Sequence, residues 1–167
     1  MQHQLTKQDI QKMEEEIEYR KLVVRKEALE DVKTARAHGD LSENFEYKAA
    51  KQYKNQNESR IRYLERMIKG AEIIDDTSAE DEVGLHNTVT VYIEEDDEEE
   101  TYRIVTTARG NSLKGMISIE SPLGKALLGH KVGDRVLITV NADYSYYVEI
   151  RKIENTPDDD SEVLRKF

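Results

Sequence analysis

Two long stretches of heptad-like hydrophobic spacing, joined by one short glycine-bearing turn, constrain this chain more than any other feature. Between about Lys7 and Arg36 the residues Ile10, Met13, Ile17, Val24, Ala28, Val32 and Ala35 recur at three-, four- and seven-residue steps, with charge at most other positions. Thr6 has N-cap chemistry and Asp9 falls in the first turn, where the helix dipole favours an acid. The seam is imperfect: Arg20 takes one expected core step, and Leu22 and Leu29 lie off the stripe. A second pattern runs from about Glu43 to Ile74, where Ala50, Tyr53, Asn57, Ile61, Leu64, Ile68 and Ala71 alternate three- and four-residue steps. Asn57 is a polar interruption of the kind that fixes register in coiled coils. Gly39 suits a helix C-terminus, because glycine adopts the left-handed conformation at little cost. Each stripe needs a partner, so the pattern predicts an antiparallel coiled-coil hairpin. At about 1.5 Å per residue, two arms of roughly 30 residues make a rod about 45 Å long.

Past the second arm the period changes. Asp75 to Leu85 loses the heptad, is acidic and rich in small residues, and reads as a linker. Alternation then takes over: Val89, Val91 and Ile93 face inward in "NTVTVYIEE", and "TYRIVTT", "GMISIE", "DRVLITVN" and "YYVEIRKI" complete a set of strands. Between them "SPLGKALLGHKVGD" predicts a short helix, with Ser121 as cap, Pro122 at the first helical position and Gly129 at the end. "EEDDEEE", Glu94 to Glu100, reads as a solvated hairpin loop. The expected architecture is α+β in two domains. The hairpin covers residues 1–75 with its tip at 37–44, the linker 76–84, and a curled antiparallel sheet with one short helix 85–154. An acidic, flexible tail covers residues 155–167, in which Val163, Leu164 and Phe167 have the apolar surface to dock.

Charge narrows the function. The net charge is −10, and it is uneven: 15 basic and 15 acidic residues lie up to and including Asp75, against 10 and 20 after it. A broad duplex nucleic-acid surface is excluded, because phosphate contact relies on clustered Lys and Arg. No apolar run is long enough to cross a bilayer, and the N-terminus lacks signal-peptide layout. The absence of cysteine excludes disulfide staples and thiolate metal sites and accords with a reducing cytoplasm.

The turn "ARAHGDLSENFEYKAA" carries the chemistry, and it supports two readings. Asp40 and Glu43 have capping-box spacing, with Asp in place of Ser or Thr, and acids suit a helix N-terminus. Alternatively, two carboxylates at the end of a rod can be delivered into a deep channel. Carboxylate oxygens are hard ligands for Mg²⁺, which takes one or two from a protein and keeps water or phosphate oxygens besides. Such a pair completes another protein's site rather than building its own, and there it can orient a water for phosphodiester hydrolysis. Arg36, Lys48, Lys51 and Lys54 stand near enough in sequence to meet phosphate, although lysines on a helix also simply solvate a face.

The same stretch resembles the tip signature of the bacterial Gre transcript-cleavage factors, written A-R-x-x-G-D-L-x-E-N-x-E-Y-x-A-A. "LTKQDIQKMEEEI", "RIRYLERMIKGAEIID", "YRIV" and "SPLGKALLGHKVGD" are similar to further family segments, in register up to Glu154. The resemblance implies an N-terminal helical hairpin and an FKBP-like C-terminal domain. It implies an accessory factor, not an enzyme, whose C-terminal domain docks at the rim of the RNA polymerase secondary channel. The hairpin would enter the channel and stimulate cleavage of backtracked nascent RNA at its 3′ end. By the same resemblance Asp40 and Glu43 are the catalytic pair, sharing Mg²⁺ with the polymerase and holding none stably alone. Gly39, Ser42 and Asn44 support the tip, Arg36 and Lys51 meet RNA, and Ser121, Pro122, Leu123, Leu127 and Leu128 dock on the polymerase. A monomer is expected. The chain departs from the family pattern in having Arg25-Lys26 where many members have Arg-Pro, Phe45 where a small residue is usual, and Lys51 where Arg is frequent.

Competing readings are a non-cleaving regulator of the same channel and a free-standing prolyl isomerase or nuclease. With no Trp and two Phe the chain has little material for an aromatic substrate pocket, and a fold does not establish an activity. His3, His38, His86 and His130 are scattered without metal-ligand spacing, and the glycines form no nucleotide-binding loop.

Overall fold

Helices form where the heptads run and strands where the alternation begins. The computed structural model describes residues 2–39, 44–156 and 162–166. In chain order the elements are β1 (Gln4–Leu5), α1 (Lys7–Tyr19), a π-helical turn (Arg20–Val24), α2 (Arg25–Arg36), α3 (Phe45–Lys69), β2 (Glu72–Ile73), β3 (Thr88–Ile93), β4 (Glu98–Val105), β5 (Met116–Ser118), α4 (Pro122–Leu127), β6 (Arg135–Asn141) and β7 (Tyr144–Glu154). They form two compact units, one built on Gln8–Ala71 and the other on Gln4–Lys7 with Glu72–Lys166.

In the first unit the α1–α2 arm packs along α3 as the heptads require. Met13, Val24, Ala28 and Ala35 are buried from one arm, and Ile61, Leu64 and Met67 from the other. Burying each larger side chain contributes about 1.5–3 kcal/mol. Tyr53, expected on the stripe, is 45% exposed, as suits a ring with a polar tip that stays wet.

The first arm is not one continuous α-helix. The Arg25 N–H bonds to the Arg20 carbonyl, the five-residue spacing of a π turn. This explains the charged residue at a core step. Arg20 Nη1 donates to Asn57 Oδ1 at 3.0 Å, and Asn57 Nδ2 donates back to the Arg20 carbonyl at 3.3 Å. Arg20 Nε and Arg60 Nε each donate to Glu16 Oε2 at 2.7 Å, and Arg60 Nη2 donates to Glu16 Oε1 at 3.1 Å. Asn57 and Arg60 are buried, so the seam carries a satisfied polar network in its middle. Arg25 pairs with Glu58 at 2.8 Å and Lys21 with Glu65 at 2.7 Å, lacing the arms on either side. Leu22 and Leu29, off the stripe, are exposed.

In the second unit the sheet runs β5-β4-β3-β7-β6. Three neighbouring pairs are antiparallel, and β4–β5 is parallel. With α4 against it, the sheet has the curled α+β plan expected. Period-two alternation places Val89 and Val91 of β3, Val136 and Ile138 of β6, and Val148 and Ile150 of β7 in one core with Ile104, Ile119 and Leu127. The hairpin loop expected at Glu94 to Glu100 is shorter, because β4 already begins at Glu98. Its acids are pinned: Arg135 Nε and Nη2 donate to Glu94, and Arg151 pairs with Glu99 at 3.5 Å.

Three segments differ from the sequence reading. The second arm ends at Lys69 rather than Ile74, and Glu72–Ile73 instead pair in parallel with Gln4–Leu5, burying Leu5 completely. The stretch read as linker contributes Val83 to the core, where its N–H donates to the His130 carbonyl at 2.9 Å. In the stretch read as a flexible tail, Glu162 is fully buried. Residues 157–161 and Phe167 lie outside the described residues.

Helix α4 begins as expected. Ser121 Oγ accepts from the Gly124 N–H at 3.1 Å, Pro122 takes the first turn, and Gly129 follows the last turn at φ +81°. The helix lies so close to the chain before it that a Cβ on Gly124 would sit 2.1 Å from the Ser118 carbonyl oxygen. Gly124→Ala is therefore expected to destabilise this unit by about 1–3 kcal/mol, the usual range for overpacking against backbone. A lowered urea midpoint at unchanged slope would show it.

Candidate functional site

The turn between the arms is assembled from both sides. Helix α2 ends at Arg36, the His38 N–H closes back on the Ala35 carbonyl at 3.2 Å, and Gly39 follows at φ +136°, a region open to glycine. Asp40, Ser42 and Glu43 lie outside the described residues. The chain resumes at Asn44 in extended conformation as the N-cap of α3. Its Oδ1 accepts from the Tyr47 N–H at 3.0 Å, and its Nδ2 donates to the Ala35 carbonyl at 2.7 Å. One amide thus caps the second arm and ties it to the last turn of the first. Because the cap is Asn44, neither Asp40 nor Glu43 is needed to start the helix, which removes the main argument for reading them as a capping box.

The base of the turn is basic and aromatic. The Arg36 guanidinium lies 5.5 Å from the Tyr47 ring centroid, and the Lys48 ammonium 5.6 Å from that of Phe45. The hydrogen bond from Arg36 holds the Tyr47 phenol below its ordinary range against a smaller effect of burial, with Lys51 and Lys54 adding positive charge. Phe45 is 81% exposed, and Lys51 is exposed nearly two turns further along α3. His38 reaches Glu46 at 3.4 Å on the surface. Phe45 and Tyr47 were not singled out as site residues from the sequence. Tyr47 is a fixed position of the tip motif, four residues after Glu43, whereas Phe45 fills an unspecified position and showed only as a departure from the family pattern.

Of the five residues expected to dock on a partner, the structure divides the set. Leu127 is wholly buried in the sheet–helix core, so its side chain packs the unit and offers no contact surface. Leu123 and Leu128 are half-buried against the same core, Ser121 is used as the cap, and Pro122 is exposed.

Among the described residues no group of three or more His, Asp or Glu side chains gathers in a way that could hold a metal ion. Carboxylates such as those of Asp40 and Glu43 are hard oxygen donors, the type Mg²⁺ takes one or two at a time from a protein. Among the described residues, too, no helix is long and apolar enough to cross a membrane.

A helical hairpin with acids at its turn, followed in sequence by a curled-sheet unit, defines a bipartite α+β protein. Residues 3–73 match the family model described as "Transcription elongation factor, N-terminal", and residues 78–155 match "Transcription elongation factor, GreA/GreB, C-term". The chain belongs to the GreA/GreB family of transcription elongation factors. Transcription elongation factor GreA of Geobacillus kaustophilus is 49% identical over 138 residues, 82% of this chain and 87% of that one. Its counterpart from Streptococcus pneumoniae serotype 19F is 45% identical over 153 residues, 91% and 95% of the two chains. Among solved structures, the GreA factor homolog 1 protein of Thermus thermophilus is 29% identical, covering 93% of this chain and 100% of its own with a TM-score of 0.43.

Proposed function

We propose that this elongation factor acts on RNA polymerase by bringing the carboxylates of Asp40 and Glu43 to the polymerase's own active site, where they stimulate cleavage of backtracked nascent RNA. The observation that carries the reading is the cap at Asn44, which holds the two arms together while leaving helix initiation independent of both acids. In this account the hairpin enters the secondary channel, and the curled-sheet unit docks at its rim through Pro122 and the exposed parts of Ser121, Leu123 and Leu128. The protein works as a monomer and contributes ligands rather than a complete catalytic centre.

Each residue near the turn has a task in this scheme. Asp40 and Glu43 offer anionic oxygens to a cation and accept hydrogen bonds from the attacking water, fixing its direction. Asp40 and Glu43 would hold Mg²⁺ jointly with the polymerase, and the ion would supply Lewis-acid activation of water and offset phosphate charge. Arg36 and Lys51 meet phosphates of the extruded RNA, and the exposed Phe45 ring offers a face on which a base can stack. Gly39 and Asn44 position the turn.

The test is an elongation complex backtracked by design and supplied with Mg²⁺. Adding the protein is expected to accelerate release of short 3′-terminal RNA fragments above the polymerase's own rate. An unchanged rate, with binding to polymerase verified, would refute the proposal.

A further inference from the structure

Beyond the family-matched region, which ends at residue 155, the chain supplies one buried carboxylate to its own curled-sheet unit. Glu162 is 0% exposed. His86 Nδ1 lies 2.7 Å and 2.9 Å from its two carboxylate oxygens, and the Arg103 guanidinium pairs with it. Arg109, itself buried, donates from Nη1 to the Glu162 main-chain carbonyl at 3.3 Å. The segment is then aligned along the unit by the Arg165 N–H, which donates to the Ala108 carbonyl at 2.6 Å. A carboxylate taken wholly out of water must be met by charge and hydrogen bonds. Here the partners come from the turn before β3, from β4 and from the short turn Thr107–Arg109. All three receptor residues fall inside the family-matched region, whereas their occupant falls outside it.

We propose that His86, Arg103 and Arg109 form a receptor for an acidic side chain carried on an extended peptide, and that this chain fills it in cis with its own segment Glu162–Lys166. The segment is a displaceable strap. It also walls a groove of about 730 Å³ lined by Arg109, Leu113, Lys114, Ile117 and Ser121, so its departure opens that groove. Specificity comes from the carboxylate, because His86 and Arg103 both address it, while the main-chain contacts of Arg109 and Ala108 are indifferent to sequence.

The experiment uses the full chain and a fluorescein-labelled peptide of residues 156–167. The Glu162→Gln chain, whose own strap is weakened, is expected to bind this peptide at least about tenfold more tightly than the wild-type chain does, since an intramolecular competitor has been removed. A peptide carrying Glu162→Gln should bind at least about tenfold more weakly, and adding Arg103→Gln to the chain should abolish the gain. Hydrogen exchange gives the second readout: the Arg165 amide is protected in the wild type and loses protection in Glu162→Gln, while amides of β3 and β7 do not change. Equal affinity of the two chains, equal affinity of the two peptides, or an Arg165 amide unaffected by the substitution would overturn the proposal. Should Glu162→Gln fail to fold, the wild type decides alone: saturating peptide must strip protection from the Arg165 amide, and retained protection overturns it.

Discussion

Asp40→Asn is expected to return transcript cleavage in a backtracked complex to the rate of polymerase alone, a fall of about 100-fold or more, with binding to polymerase unchanged. The substitution keeps size, turns one acceptor oxygen into an NH2 donor and removes one negative charge. A preorganised charge aimed at a reacting centre in a water-poor site is worth about 10²–10³ in rate. Docking is assigned to the other unit, so affinity should survive. The same variant separates one alternative: a non-cleaving regulator would act on polymerase equally well with Asn at this position. The capping alternative is separated by Asp40→Ala, because Asn caps as well as Asp, whereas Ala in place of a true cap would cost about 0.5–2 kcal/mol. With Asn44 as the cap, the melting temperature of the hairpin should stay where it is. Loss of cleavage at unchanged melting and unchanged affinity is the combination that the proposed role requires.

Arg60→Met should destabilise the hairpin by about 3–5 kcal/mol, the cost of leaving one partner of a largely buried ion pair. The Arg60 side chain is 7% exposed and provides two of the three hydrogen bonds that hold Glu16. Burial alone would raise the Glu16 carboxyl, but the hydrogen bonds and charges of Arg60 and then Arg20 outweigh it and hold the group below its ordinary range. A carboxyl depressed in the folded state stabilises above its unfolded value of about 4.3, and that stabilisation fades as pH falls through the folded value. Removing Arg60 takes away the strongest influence holding Glu16 down, so the variant should lose less stability than the wild type between pH 7 and pH 3. Denaturant melts of both proteins at the two pH values measure this; parallel losses would show that Arg60 does not govern Glu16.

The parts of the fold that were legible in sequence are those written in periodicity. The heptads marked both arms, and Asn57 stood out as a polar residue on an apolar stripe. The alternating valines and isoleucines marked β3, β6 and β7 and their inward faces. What stayed hidden depends on partners far away in sequence. Arg20 read as a broken seam because its resolution, a π turn with Asn57 and Glu16 around it, is a tertiary arrangement. Two-residue strands such as Gln4–Leu5 and Glu72–Ile73 are too short to show any period. Glu162, in a run of acids, looked like a solvated tail, since nothing local announces that His86, Arg103 and Arg109 converge on it. At the candidate site the tip acids were legible as a pair, but which residue caps α3 was not. Asp40 and Asn44 both have capping chemistry, and the tie from Asn44 to Ala35 across the turn favours the second.

The wide turn at Arg20–Val24 also makes one place on the first arm tolerant of a change in chain length. A π turn accommodates one more residue than an α turn over the same rise, so a single deletion there would let an ordinary helix run through with Ala28 and Ala35 still facing α3. The same deletion inside α2 would swing every later side chain on that arm by about 100° around its axis and point the turn elsewhere. Reach and aim are thereby uncoupled: the arm can give up a residue at this elbow while its far end keeps its heading.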